Sequence, residues 1–231
     1  MMKKIGLVGG TGPESTVIYY KELNSKIDMV TDGQNMPELL IESVNFRKVW
    51  RLVSSKQYKE LAEYISEKVN NLSKCGAEII TLTAATMHIV LDDVEKNTSV
   101  SLVSIPKAIC EEVLDKGYKR VGLIGTIFTM EQDFMKKDLL QAGIEVIIPD
   151  KEDRELVAKR ILEELEFGIV KESTLQEFNA IIERMQKEHQ IEAIILGCTE
   201  LPLLLNDENC VLPCLDSADI HINRIVKLVL G

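Results

Sequence analysis

Short apolar runs alternate with longer amphipathic stretches along this chain. Ile5–Val8, Leu39–Val44, Glu78–Leu82, Ser101–Ser104, Arg120–Ile124, Glu145–Ile148 and Ala193–Leu196 read as strands. Between and after them, Ser15–Ile27, Tyr58–Leu72, Pro106–Lys116, Met130–Ala142, Asp153–Phe167, Leu175–Glu188 and Ala218–Val229 read as helices. Parallel strands need crossover connections, and helices supply them. The alternation therefore predicts an α/β fold with parallel sheets covered by helices on both faces. No Pro/Ser-rich linker and no low-complexity tract interrupts the pattern, so any boundary between lobes is compact.

The pattern also repeats. Gly6-Leu7-Val8-Gly9-Gly10-Thr11 resembles Gly122-Leu123-Ile124-Gly125-Thr126-Ile127, an offset of 116 residues. Gly76-Ala77-Glu78-Ile79-Ile80 resembles Ile191-Glu192-Ala193-Ile194-Ile195, an offset of 115. Two echoes that keep order and spacing predict two pseudo-symmetric lobes, each a parallel sheet flanked by helices. Residues 1–105 with 213–231 form the first, and 106–212 the second. Open parallel sheets bind ligands beyond the carboxyl ends of their strands. The expected active site is thus a cleft between the lobes, bounded by Gly9–Pro13, Thr83–His88, Thr126–Thr129 and Gly197–Glu200.

Composition narrows the function. At 231 residues, with 45% hydrophobic and 28% charged, the chain has room for two cores. A net charge of -10 argues against nucleic acid and against an anionic membrane surface as partners. It leaves a small acidic substrate open, because a local pocket can oppose the global sign. The apolar run behind Met1-Met2-Lys3-Lys4 is too short for a signal-peptide core, and no segment is long enough to span a bilayer. Cys75, Cys110, Cys198, Cys210 and Cys214 contain no C-x-x-C pair. They fit neither a disulfide framework nor a zinc ribbon, and predict reduced thiols in the cytoplasm. His88, His189 and His221 stand far apart in sequence, so no metal site is expected.

Each loop offers some chemistry. Gly9-Gly10-Thr11-Gly12-Pro13 opens a helix, where free N–H groups would receive a small carboxylate or simply make a tight turn. It lacks both the dinucleotide fingerprint and the Walker sequence. Thr126 and Thr129 can hold a carboxylate or cap a helix. His88, at the end of Thr83-Ala84-Ala85-Thr86-Met87-His88, is an acid, a base or a helix-start residue. Gly197-Cys198-Thr199-Glu200 follows an apolar strand and is the strongest candidate. Helix N-terminal amides there are expected to lower the Cys198 pKa from the usual ~8.5 and supply thiolate.

In combination and order, these loops resemble the cofactor-independent aspartate/glutamate racemases over nearly the whole chain. The resemblance rests on Gly9–Pro13 with Tyr19-Tyr20, on Thr86-Met87-His88, and on Gly125-Thr126 with Thr129-Met130. It rests further on Gly197–Glu200 and on Asp216 with His221. It implies an isomerase without pyridoxal phosphate or any other cofactor, acting on an amino acid or dicarboxylate. It also implies a homodimer, and two-base chemistry with one cysteine from each half on opposite faces of Cα. The family's first loop commonly reads Cys-Asn-Thr, whereas this chain has Ala84-Ala85-Thr86. The first thiol and the carboxylate-binding asparagine are missing, and Thr83 is the nearest hydroxyl. The resemblance implies catalytic roles for Cys198 and Thr83. It implies substrate contacts for Gly10, Thr11, Arg47, Ala84, Ala85, Thr86, Thr126, Thr129, Thr199 and Glu200. The second-half cysteine of the family acts on the L enantiomer. Some aspartate racemases carry a basic residue before the glycine matching Gly168; Glu163–Phe167 has none, which weakens strict aspartate specificity. Three readings stay open: a one-thiol racemase with Thr83 or water on the other face, a single-cysteine isomerase or decarboxylase, and a non-catalytic binder of small carboxylates.

Overall fold

The structure, a computed structural model, describes residues 2–231. Contacts divide the chain into two units: the segment up to Ser104 with His221–Gly231, and Ile105–Ile220. The first unit holds β1 (Ile5–Gly9), α1 (Pro13–Val30), β2 (Leu39–Ser43), α2 (Phe46–Ser54), α3 (Tyr58–Lys74), β3 (Ile79–Leu82), α4 (Leu91–Lys96) and β4 (Leu102–Val103). Its four strands are parallel, in the order β2-β1-β3-β4. The second unit holds α5 (Ile105–Asp115), β5 (Arg120–Ile124), α6 (Ile127–Glu131), α7 (Lys137–Gln141), β6 (Glu145–Ile147), α8 (Lys151–Glu163), α9 (Glu172–His189), β7 (Ala193–Leu196) and β8 (Cys214–Asp216). Its strands are parallel too, in the order β6-β5-β7-β8. The boundary back to the first unit falls inside the last helix, α10 (Ser217–Leu230).

The central strands are the ones most legible as apolar runs. Every residue of β1, β3 and β7 is buried, because helices cover both faces of a central parallel strand. The edge strand β2 is only partly buried. Beneath the second sheet, α9 buries Phe178, Ile181, Ile182 and Met185, a spacing that lines one helical face. Burying a side chain of this kind is favourable by about 1.5–3 kcal/mol.

The departures from expectation have local causes. The return to the first lobe, expected at 213, comes later, because β8 pairs with β7 through Ile194, Ile195 and Leu196. The helix expected over Met130–Ala142 is two short ones. Thr126 caps α6 by accepting from the Thr129 N–H at 3.2 Å, and Lys136 Nζ donates to the carbonyls of Met130 and Glu131 at its other end. The expected helix Asp153–Phe167 starts earlier, because Asp150 accepts from the Asp153 N–H at 2.9 Å. It ends at Glu163, a 3-10 turn follows over Leu165–Phe167, and Gly168 stops it in the left-handed region. Unforeseen α2 is capped by Asn45, which accepts from the Lys48 N–H at 3.1 Å.

Candidate active site

The second unit builds the Cys198 turn. Gly197 donates its N–H to the Ile124 carbonyl at 2.8 Å, carrying the ladder one residue beyond β7. A Cβ on Gly197 would lie 2.6 Å from the Thr129 methyl carbon and 2.9 Å from the Ile124 oxygen. Only glycine fits, and the tight contact sets Cys198 immediately past the sheet edge. Burial and the nearby Glu200 carboxylate push the Cys198 thiol well above the ordinary value. The N–H groups of Glu200 and Leu201 act in the opposite sense and are outweighed. The expected lowered pKa is therefore corrected: with no substrate present, Cys198 is a protonated thiol near neutral pH.

The neighbours of Cys198 are already engaged with one another. Thr199 donates its hydroxyl to Glu200 Oε1 at 2.8 Å. The hydroxyls of Thr126 and Thr129 are 3.0 Å apart, and Thr129 is buried. Thr126 is half-buried and caps α6, and the enclosed Thr129 supplies the N–H that it caps and a hydroxyl paired with it. Ser217 donates to the Leu196 carbonyl at 2.7 Å, tying the start of α10 to the end of β7.

The first unit builds the glycine loop and the alanine turn. Gly10 has a φ of 86°, and a Cβ there would meet Ser43 Oγ at 2.5 Å. Its N–H donates to Thr16 Oγ1 at 2.9 Å, so this amide is not the open anion donor the loop sequence suggests. Thr11 donates to the Met87 sulfur at 3.0 Å. Ala84, Ala85 and Thr86 are partly exposed at the end of β3. His88 Nδ1 lies 3.2 Å from the carbonyls of both Ala84 and Ala85. A carbonyl only accepts, so Nδ1 carries the proton and His88 holds the turn rather than entering it. Arg47, in the first turn of α2, is exposed.

Thr83 is 0% exposed. Its hydroxyl is 3.4 Å from Thr16 Oγ1 and 3.5 Å from the Val8 carbonyl, beneath the loop. An enclosed hydroxyl with these partners has no path to a substrate. The strand register explains why Thr83 falls there. Ile5 stands beside Ile79, and Val121 beside Ala193. A shift of 116 from β1 to β5 thus accompanies one of 114 from β3 to β7, where the echo suggests 115. Thr83 then occupies the place of Gly197, and Ala84 that of Cys198.

A buried polar cluster under the first sheet escapes sequence reasoning. His221, 0% exposed, lies 2.7 Å from the Tyr19 hydroxyl through Nδ1. Its Nε2 is 3.1 Å from both the Val103 carbonyl and Thr81 Oγ1. Nε2 must donate to the carbonyl, so Nδ1 is bare and accepts from Tyr19. Thr81 in turn donates to the Val103 carbonyl at 2.7 Å. Burial, with His88 beside it, pushes the His221 pKa down to about 3, so the ring is neutral. His88 and His221, 133 positions apart in sequence, have ring centroids 6.4 Å apart. The signal for this cluster was faint: Tyr19, His88 and His221 belong to separate motifs, with nothing in the sequence to join them.

Near Gly168 the basic residues are already bound. Glu164 is buried and accepts from Thr174 at 2.6 Å, Arg160 at 2.8 Å and Lys171 at 3.1 Å. The Thr174 hydrogen bond, followed by Lys171, lowers its pKa.

Comparison with known proteins bears on this arrangement. The Asp/Glu/Hydantoin racemase family model matches residues 8–225. A Yersinia pestis structure named as an Asp/Glu racemase candidate is 34% identical over 100% of both chains, with a TM-score of 0.94. An aspartate racemase homologue from Pyrococcus horikoshii is 37% identical, again over 100% of both, with a TM-score of 0.90. Picrophilus torridus aspartate racemase shares the fold at 20% identity and a TM-score of 0.75, covering 97% of this chain and 93% of its own. Two four-stranded parallel sheets of like order, with the family pattern across both, place this chain in the Asp/Glu/Hydantoin racemase family, among the isomerases.

Proposed function

We propose that the protein is a one-thiol racemase of aspartate or glutamate, favouring the L enantiomer and using no pyridoxal phosphate. One observation carries this reading: Cys198 stands just past the end of β7, and the residue in the same place after β3 is Ala84. Cys198 exchanges the α-proton on one face. Water serves the other, because Thr83 is enclosed. A protonated Cys198 becomes a base when the cationic α-ammonium group arrives beside it, since an adjacent positive charge favours the thiolate. Glu200 suits the ammonium. Exposed Arg47 suits the side-chain carboxylate, which it would hold bidentately. Thr11, Thr86, Thr126 and Thr199, with the Ala84 and Ala85 backbone, complete the set that would stabilise charge developing on the α-carboxylate, whereas the Gly10 N–H is already given to Thr16.

A cytoplasmic homodimer is part of the same reading. All five cysteines are free, which suits a reducing compartment. No helix among the described residues is long and apolar enough to cross a membrane. Tyr20, Phe46 and Trp50 leave apolar surface exposed on the first unit, a feature of association sites.

The test is α-proton exchange in heavy water, followed by NMR with each enantiomer of aspartate and glutamate. Exchange from the L form should outrun both exchange from the D form and net inversion, because a lone thiol returns a deuteron to the face it left. Cys198→Ala should reduce it about a thousandfold. Absence of exchange with all four substrates overturns the reading. Binding without exchange would favour a carboxylate binder instead.

A further inference from the structure

Among the described residues, β2 is the longest strand at any sheet edge. It runs for five residues, whereas β4, β6 and β8 at the other edges run for two or three. An open edge is a template for another strand, and proteins blunt it with short strands, lysine, proline or a bulge. β2, Leu39-Leu40-Ile41-Glu42-Ser43, has none of these, and its register with β1 runs unbroken from Ile5–Leu39 to Gly9–Ser43. The Ile5 N–H donates to the Glu38 carbonyl at 2.9 Å, and the Val44 N–H to the Gly9 carbonyl at 2.8 Å. Backbone groups alternate in direction along a strand, so those of Leu40 and Glu42 also face β1. Leu39, Ile41 and Ser43 turn theirs to the open side, where no described residue takes them up. Ile41 is 44% exposed.

The charges along this edge do not guard it. Glu42 is drawn onto α3, where Lys68 Nζ lies at 3.1 Å and Asn71 donates at 3.4 Å. Glu38 pairs with Lys4 at 2.8 Å. Both carboxylates are answered within the unit, so the strand offers no free charge that would select a charged partner.

We propose that β2 is the dimer surface: it pairs antiparallel with β2 of a second copy about a twofold axis at Ile41, joining two four-stranded sheets into one. The inference rests on the homodimer reading above and names its surface. A twofold axis relates the two strands in opposite directions, and the sequence of β2 is self-complementary in that arrangement. Ile41 meets Ile41 of the partner subunit, Leu39 meets Ser43 of the partner subunit, and Leu40 meets Glu42 of the partner subunit. Each open N–H and C=O then finds its complement. The charges select this register. A slip by two residues one way sets Glu42 against Glu42 of the partner subunit. A slip the other way sets Glu38 against it. Like charges directly opposite destabilise a strand pair. Beyond the strand, the chosen register runs exposed Met36 toward exposed Phe46 of the partner subunit.

The test is analytical ultracentrifugation of the full chain with paired charge variants. Ile41→Lys and Ile41→Glu should each weaken self-association by about tenfold, because like charges then meet at the axis. Ile41 lies outside the buried core, so neither change disturbs the fold. An equimolar mixture of the two should associate within about threefold of wild type, since residue 41 meets only its own counterpart. Hydrogen exchange followed by NMR adds a measurement on the unaltered protein. The Ile41 amide has no acceptor in its own chain, so its protection should appear with the dimer and vanish on dilution. The proposal is overturned, and the homodimer reading stands, if a dimeric wild type exchanges its Ile41 amide freely or if both variants keep the wild-type dissociation constant. It is also overturned if both variants dissociate and their mixture does not recover. A wild type that stays monomeric at the concentrations used for NMR overturns both. None of these outcomes depends on whether the protein racemises an amino acid.

Discussion

The two units share a strand order and differ at one turn. In each, the first and third strands of the unit pair in parallel, and the chain leaves the third strand at the carboxyl edge. After β7 it leaves through Gly197, against which the Thr129 methyl packs, and Cys198 follows. After β3 it leaves through Thr83, whose hydroxyl points back at Thr16, and Ala84 follows. The two matching turns thus carry one thiol between them, at Cys198. Duplicated topology does not preserve duplicated chemistry: side chains at strand ends contribute little to the core and can diverge without disturbing the sheet.

The largest effect that tests this asymmetry is at Cys198. Cys198→Ala should reduce α-proton exchange about a thousandfold, measured by NMR in heavy water. Retained exchange would mean that the second turn is not the reactive one. Next in size is the pH dependence contributed by His221, whose buried cluster occurs only in the first unit. Its folded pKa of about 3 lies below its unfolded value, so the stability tied to the neutral ring is present above about pH 6.5. That stability is lost as pH falls through the folded value, by a few kcal/mol at most. Chemical denaturation between pH 7 and 4 should show a steeper loss for wild type than for His221→Gln. Parallel curves would show that the ring does not titrate in this way.

Restoring the missing half is a smaller effect. Ala84→Cys with Ala85→Asn should raise racemisation about tenfold, chiefly from the D enantiomer, in a chiral-chromatography assay. An unchanged rate would show that Ala84 does not occupy the place of a second base. Thr83→Val should change least. Exchange should stay within about threefold, and stability should fall by about 1 kcal/mol for the lost hydroxyl contacts. A hundredfold loss of exchange would restore Thr83 as the proton donor for the other face.

Much of the fold was legible because buried central strands are continuous apolar runs, as Ile5–Val8 and Ala193–Leu196 are. Cys214–Asp216 was not, since three residues carry no pattern and become a strand only by pairing with β7. The break between α6 and α7 was hidden because Lys136 makes it by bonding across sequence to Met130 and Glu131. At the site, Cys198 stood out as a thiol followed by polar residues at a strand end. The one-residue difference between echoes of 115 and 114 did not. Ile79-Ile80 matches Ile194-Ile195 better than it matches Ala193-Ile194, and only the hydrogen-bonded register selects the second.

Chain order alone settled the α/β class, the doubling of the fold and the loops where chemistry concentrates, because hydrophobic period and glycine placement are local properties. Tertiary structure decided the protonation of Cys198, the enclosure of Thr83 and the joining of Tyr19, Thr81 and Val103 at His221. Acidity and access depend on what surrounds a group in three dimensions, and residues distant in sequence supply those surroundings.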